Sequence, residues 1–340
     1  MPVIDLNALI QNRVTAIRAL HQATGVARAQ IDVSGGVDSA VISSLLSRAL
    51  GPEKVTAVFT DIDSSRDTRE RASRLAAATG LRLVIDDLTL EFKARVAHMV
   101  SNLVEAGYDR AEIETRLSAD PTILGSIRST LRAPIGRGYN RLTGGGIRHG
   151  TGNECEDRFL RFFQKGGDGE VDTNPINMLS KGGVFQLARA LDVPASILEA
   201  TPSPDLWGMG DDHDDEGELL RWTGVAWTYS RVDPKTGKYT RIGTIERVNR
   251  YLDSIDDRLF REPHRPVVDF VDANEESCRA TGHPAFNGLD RDRVLSLLAS
   301  ARKIEAATRH KMNPNAAGPG TRVELLEAGI LTNELLHLVI

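Results

Sequence analysis

Apolar residues at Leu6, Leu9, Ile10, Val14, Ile17 and Leu20 recur at the spacing of one helix face, which predicts a helix over Leu6 to Thr24. A short apolar run from Ala29 to Val33 then reads as a strand. The pattern from Ser39 to Leu50 reads as a second helix, ended by Gly51-Pro52. Val55 to Phe59 is another apolar run, Arg66 to Ala78 is a helical pattern closed by Gly80, and Leu81 to Ile85 is a third run. Strand, helix, strand, helix, strand with short turns predicts an α/β fold: a Rossmann-like parallel sheet with helices on both faces.

Further along, Leu90 to Leu117 is mostly helical. Ile123 to Leu142 keeps the helical period but carries Pro134, Gly136 and Gly138 in its second half. The stretch GGGIRHGTGNECED, Gly144 to Asp157, suggests a short strand, a loop and a helix start. A turn spans Asp168 to Asp172, and a helix runs from Leu179 to Leu191. Thr201 to Glu218 is too rich in Pro, Gly and acidic residues to be regular for most of its length. Then VAWTYSRVDPKTGKYTRIGT reads as a β-hairpin around the turn Asp233 to Gly237. Glu246 to Leu259 and Val294 to Thr308 read as helices, Arg261 to Asn287 as loop, and Val323 to Val339 as an amphipathic end. The expected organisation is a core over 1–219, an inserted hairpin and proline-rich region over 220–290, and C-terminal helices over 291–340 packing on the core.

Composition narrows the class. Hydrophobic residues at 41% and charged residues at 26% suit a globular chain, and no apolar run approaches the roughly 20 residues that span a bilayer. The N-terminus lacks a secretory pattern. Cys155 and Cys278 are far apart without CxxC spacing, which argues against a disulfide framework or thiolate zinc site and suits the cytoplasm. A net charge of −5 and the lack of an RNA-binding module argue against nucleic-acid partners.

The chemistry starts at SGGVDS, Ser34 to Ser39, between the first strand and its helix. Such a corner turns backbone N–H groups and a helix N-terminus toward an anion. It lacks the GxGxxG spacing of dinucleotide folds, and no GxxxxGK[ST] loop occurs in the chain. Asp38 adds a carboxylate beside the anion site, which would repel phosphates unless a cation bridges them, so it implies Mg²⁺.

SGGVDS resembles the signature of the N-type ATP pyrophosphatases, which implies ATP cleaved between its α- and β-phosphates. A second block is more specific. GTGNECE, FFQKGGDGEVD, the step from Pro175 through Leu179 to Lys181, and TPSPDLW, Thr201 to Trp207, resemble the NAD synthetase family in order and nearly in spacing. SIRSTLR, Ser126 to Arg132, and TRHKMNP, Thr308 to Pro314, add to the likeness. The resemblance implies an adenine nucleotide alpha hydrolase-like fold and an ammonia-dependent amide ligase that forms an acyl-adenylate. It assigns Ser34, Gly35, Gly36, Asp38, Ser39, Arg132, Thr151, Lys181 and Ser203 to ATP and pyrophosphate, and Asp38 and Glu156 to Mg²⁺. Asp168 and Lys181 take catalytic roles, Asp168 as the base for ammonium, and Asp172, His310 and Lys311 meet the acid. The implied partners are ATP, ammonia and a small carboxylate, within a homodimer. No glutaminase is expected ahead of the first strand, so a separate one is a candidate ammonia source.

Taken singly, Glu156 and Asp168 fit helix caps or turns, and Lys181 and Arg132 fit solvated helix positions; their joint order behind SGGVDS points to chemistry. Four positions depart from the family: Thr130, Glu154, Gly166 and Glu170. Residues 220–290 are an expansion, so an amide ligase acting on another carboxylate is the alternative. A tRNA-modifying enzyme and a non-catalytic nucleotide-binding protein are the other classes. Asp211 to Glu218 reads as a solvated acidic loop or helix start rather than a metal site at His213, Cys155 as a bystander, and Trp207, Trp222 and Trp227 as packing residues of the appendage.

Overall fold

A computed structural model describes residues 5–200, 214–272 and 279–312. Helix α1 (Leu6–Thr24) opens the chain, capped by the Asp5 side chain and closed by Gly25 at φ +70°. Then follow β1 (Ala29–Asp32), α2 (Val37–Leu50), β2 (Val55–Asp61), α3 (Arg66–Thr79) and β3 (Leu83–Asp87). The stretch expected to be mostly helical forms two helices, α4 (Thr89–Glu105) and α5 (Arg110–Ala119), because Gly107 at φ +96° turns the chain between them. Helix α6 (Thr122–Leu142) runs through Pro134, which sits on its exposed side where water can satisfy the freed carbonyl. Strand β4 (Ile147–His149) completes a parallel sheet of order β3-β2-β1-β4.

The two forward crossovers put α2 and α3 on one face, and the return from β3 to β4 puts α6 on the other. One apolar cluster joins α1, α2 and α3 to the sheet, together with α8 (Lys181–Ala190), which follows the short α7 (Glu154–Asp157). The short α9 (Ala195–Leu198) closes this half.

Beyond it come α10 (Asp215–Thr223), the antiparallel pair β5 (Arg231–Val232) and β6 (Tyr239–Arg241), then α11 (Thr244–Ser254), α12 (Arg258–Arg261), α13 (Val267–Asp272) and α14 (Arg291–Thr308). They build a second apolar cluster around Trp227, Tyr251, Phe270 and Leu298, which also takes in Cys155, Phe159 and Leu160. The helix expected from Glu246 to Leu259 breaks at Asp256 and Asp257, both at positive φ. The stretch expected as loop, Arg261 to Asn287, contains α13, whose Phe270 and Val271 are fully buried. Its six residues are too few to show a helical period against the flanking prolines. The described part of the C-terminal region, α14, packs in this second cluster. The expected Val323–Val339 element lies outside the described residues. Among the described residues no helix is long and apolar enough to cross a membrane.

A buried histidine pair pins α1 to β4. His21 Nδ1 lies 2.7 Å from the Val26 carbonyl and therefore carries the proton. His21 Nε2 then accepts from His149 Nε2–H at 3.0 Å. Burial pushes the His149 imidazole down to about 3, with His21 adding to the shift. Because the folded value lies below the ordinary one near 6.5, the unfolded chain takes up a proton first as pH falls. Stability is full above about 6.5 and declines toward about 3, by up to ~1.4 kcal/mol per pH unit. Urea midpoints at about pH 7.5 and about pH 5 should show this loss, and His149→Leu should remove that share of it; equal dependence in both proteins would refute the assignment.

Candidate active site

The SGGVDS loop leaves β1 with its geometry fixed from three sides. Gly35 sits at φ +75°, and a Cβ there would lie 2.6 Å from the Thr68 carbonyl oxygen, so α3 packs directly on the loop backbone. Ser39 donates to the Gly36 carbonyl at 3.0 Å and accepts from Ser34 Oγ at 3.1 Å. Ser39 is buried and off the cleft wall, so it holds the loop, whereas Ser34, Gly35, Gly36 and Asp38 line the cleft. Arg71, which the sequence reading passed over, lies on that wall too. Its Nε donates to the Gly35 carbonyl at 3.1 Å and its Nη2 to Thr68 Oγ1 at 3.0 Å.

Across the cleft, α7 and α8 bring Glu156 and Lys181 to the start of α2. Asn153 caps α7, accepting from the Cys155 and Glu156 amides at 3.0 and 3.2 Å, while its Nδ2 donates to Asp38 Oδ1 at 2.9 Å. The Lys181 ammonium lies 2.7 Å from both Asp38 Oδ2 and Glu156 Oε1. Its side chain is 3% exposed, so the pair is shielded from water and salt. Asp215, expected in a solvated stretch, is instead buried beside this ammonium at the start of α10. Burial pushes Asp215 up to about 7, against the pull of Lys181, and Asp157 up to about 8, with Glu156 and Asp168 adding to the rise. Glu156 is raised by burial as well, partly offset by Lys181. One lysine is thus outnumbered by buried carboxylates. Cys155 has its thiol pushed up to about 12 by burial, which leaves no thiolate for nucleophilic chemistry.

Asp168 lines the same cleft. Ser129 Oγ of α6 donates to Asp168 Oδ1 at 2.7 Å, and the Gln164 amide donates to the same oxygen at 2.8 Å. Gly167 packs on Ser129 without room for a side chain, and Gly166 sits at φ +79°, which accounts for glycine where the family carries an aromatic residue. Helix α14 closes the loop from outside. Buried Arg161 pairs with Glu305 at 3.3 Å, and Lys311 Nζ donates to the Arg161 and Phe163 carbonyls at 2.9 and 2.7 Å.

Together these groups line one cleft of about 1500 Å³, with Arg132, Thr151, Asp168, Lys181 and Lys311 all on its wall. Asp172 and His310 are not on that wall. Asp172 accepts the Arg148 amide at 2.8 Å and so serves the sheet end, and His310 is exposed beside the Ala307 carbonyl. Ser203 and Trp207 lie outside the described residues. Trp227 packs in the second core as expected, but Trp222 is half-exposed on the cleft wall. The departing residues are also placed: Thr130 bonds back to its own helix, Glu170 pairs with Arg137, and Glu154 pairs with Arg158 and with Arg250 of α11. Glu154 is therefore coupled to the expansion, not to the cleft.

Among the described residues no three His, Cys, Asp or Glu side chains form a ready-made metal cage. Mg²⁺ needs none, since it is commonly held by one or two carboxylates together with substrate phosphates and water. Asp38 and Glu156 fit that pattern, and the surplus of buried carboxylate around Lys181 favours a divalent cation.

The architecture is shared with solved enzymes of one fold. A structure described as NMN synthetase from Francisella tularensis matches with a TM-score of 0.63 at 21% identity, covering 94% of this chain and 100% of that one. An NH3-dependent NAD synthetase from Campylobacter jejuni, in complex with the nitrate ion, matches with a TM-score of 0.57 at 17% identity, covering 93% and 100%. These likenesses define the class, an α/β protein of the adenine nucleotide alpha hydrolase-like fold. The NAD synthase family model matches residues 9–220, more than half of the chain. The chain belongs to the NAD synthase family and is a carbon–nitrogen ligase. Among its relatives, the NH(3)-dependent NAD(+) synthetase of Archaeoglobus fulgidus is 33% identical over 220 residues, covering 63% of this chain and 80% of that protein. The protein of the same description from Alkaliphilus oremlandii is 31% identical over 227 residues, covering 65% and 82%.

The placement of Arg71 carries a prediction. A guanidinium fixed at the Gly35 carbonyl would meet phosphates bound in this loop equally in ground and transition states. Arg71→Ala should therefore raise KM for ATP by about fivefold to tenfold with little change in kcat. Steady-state AMP formation measures this, and an unchanged KM would remove Arg71 from the site.

Proposed function

We propose that the protein amidates nicotinic acid adenine dinucleotide to NAD, with ATP and ammonia as co-substrates. The observation that carries the reading is the convergence of Asp38 from SGGVDS and Glu156 from GTGNECE on one buried lysine at the N-terminus of α2. The curated relatives are described as NH(3)-dependent NAD(+) synthetases, which supports carrying that substrate over.

In the first step a carboxylate oxygen of the acid attacks the α-phosphorus of ATP, and the bond to the bridging oxygen breaks as pyrophosphate leaves. Amides of the SGGVDS turn and Lys181 face the departing anion and stabilise its growing charge, while Arg71 binds the phosphates in both states. Asp38 and Glu156 would hold Mg²⁺, which supplies positive charge to the phosphates when bound. In the second step ammonia attacks the acyl carbon, AMP leaves with its bridging oxygen, and Asp168 takes the proton. Lys311, placed beside Asp168, keeps one N–H for the acid after serving two carbonyls. Asp172 and His310 are given no step here, since Asp172 accepts the Arg148 amide and His310 lies beside the Ala307 carbonyl.

A second acid remains a reading because Thr130 directs its hydroxyl into its own helix and offers no charge to a dinucleotide. The fold relative described as NMN synthetase shows that the fold also serves another amide product. Heavy oxygen placed in the acid carboxylate tests the adenylation step: the label should appear in AMP, and its absence there would exclude an acyl-adenylate.

The homodimer implied by the family is also proposed here. Its support is the exposure of Met99 and Leu103, four residues apart on α4, and of Tyr108 in the turn after it. Sedimentation should give about twice the chain mass of 37.1 kDa, and a monomer at micromolar concentration would oppose it.

A further inference from the structure

The hairpin region docks on the helix that carries Lys181. Gln186 of α8 donates to the Gly237 carbonyl at 3.0 Å, and Arg189 donates to the Lys235 carbonyl at 3.1 Å, so the hairpin turn is tied along α8. At the start of α8, Tyr239 of β6 occupies the space beside Gly182, and a side chain at 182 would collide with its ring. The Tyr239 and Ser180 hydroxyls lie 3.4 Å apart, and Ser180 Oγ caps α8 by accepting the Gly183 amide at 3.3 Å. From the segment before β5, the Tyr229 ring centre lies 5.6 Å from the Lys181 ammonium. Tyr229 is fully buried, and its hydroxyl has no hydrogen-bond partner among the described residues. Burying an unpartnered hydroxyl is unfavourable, whereas an aromatic face beside a desolvated ammonium is favourable. The ring, not the hydroxyl, is what this position supplies.

A lysine head sits on a flexible four-carbon stem, so its direction must be imposed by what surrounds it. Two of its three N–H bonds go to Asp38 and Glu156. We propose that Tyr229 and Tyr239 are positioning residues, which fix the first turn of α8 from behind and aim the remaining N–H of Lys181 at the phosphates. This gives part of the expansion, the segment from Trp227 to Arg241, a role in the ligase chemistry. The inference rests on the reading of Lys181 given above.

The test measures AMP formation against ATP concentration, with ammonium and acid saturating, for Tyr239→Ala, Tyr239→Phe, Lys181→Ala and the double variant. Tyr239→Ala should lower kcat about tenfold with KM for ATP nearly unchanged, because misaiming a transition-state donor leaves ground-state binding intact. Tyr239→Phe keeps the ring against Gly182 and should retain most activity. In the Lys181→Ala background, Tyr239→Ala should cost nothing further, the signature of action through one residue. Equal losses in both backgrounds, or a raised KM with kcat intact, would overturn the inference. Loss of activity in Lys181→Ala with full activity in Tyr239→Ala would also overturn it, while leaving the reading of Lys181 standing. Full activity in Lys181→Ala would instead sink that reading. If Tyr239→Ala does not fold, Gly182→Ala decides, since alanine suits a helix and pushes the ring from the other side. It should lower kcat with KM kept, and an unchanged kcat would count against the proposal.

Discussion

Lys181→Met is expected to lower AMP formation by at least 10²-fold to 10³-fold, the range seen when one preorganised transition-state donor is removed. The same change should destabilise the fold by about 3–5 kcal/mol, because breaking a buried pair leaves its partner charge uncompensated. Here two partners are stranded, Asp38 and Glu156, each 2.7 Å from the lost ammonium. Both are already crowded by Asp157 and Asp215, whose carboxyls burial holds near 8 and near 7. The size-matched apolar side chain fills the space, so cavity formation does not confuse the result. Urea unfolding and AMP release together test it. A variant with a lowered midpoint but normal turnover would mean that Lys181 is a structural strut away from the phosphates.

Asp168→Asn separates the two steps. Asp168 Oδ1 takes both fixed hydrogen bonds, from Ser129 Oγ and the Gln164 amide, and leaves Oδ2 for an incoming N–H. An asparagine can keep the two bonds through its own oxygen but cannot accept a proton. Amide formation should fall by about 10²-fold to 10⁴-fold, the usual worth of a general base. Exchange of labelled pyrophosphate into ATP, which reports adenylation alone, should change far less. Equal loss in the two assays would show that Asp168 supports the fold of the cleft and not the second step.

The first half of the chain was legible because its elements are long and its signals local. The helix from Leu6 to Thr24 matches the apolar period along its whole length, and Gly51 and Gly80 end helices where expected. The second half was harder. VVDFVD of α13 is one short helix whose reason is tertiary, namely that Phe270 and Val271 complete a core made with α11 and α14. Within the cleft, SGGVDS and GTGNECE could be seen singly, but Asp38 and Lys181 are 143 positions apart and nothing local announces their ion pair. Asp215 was hidden for a related reason: an acidic run looks solvated until a buried lysine draws one member inward. Arg71 and Tyr229 carried no motif. A signal for Arg71 was available, since it falls about a turn and a half into the helix after the second strand and that helix must face the glycine corner. Asp172 and His310 are the reverse case: motif membership gave them roles, and the structure places both off the cleft wall.

The central claim is that ATP is split between its α- and β-phosphates to make an amide from ammonia. Purified protein given nicotinic acid adenine dinucleotide, Mg-ATP and ammonium should form NAD, AMP and pyrophosphate in equal amounts. Formation of ADP and phosphate, or AMP release with no amide from this acid or its mononucleotide counterpart, would contradict the account.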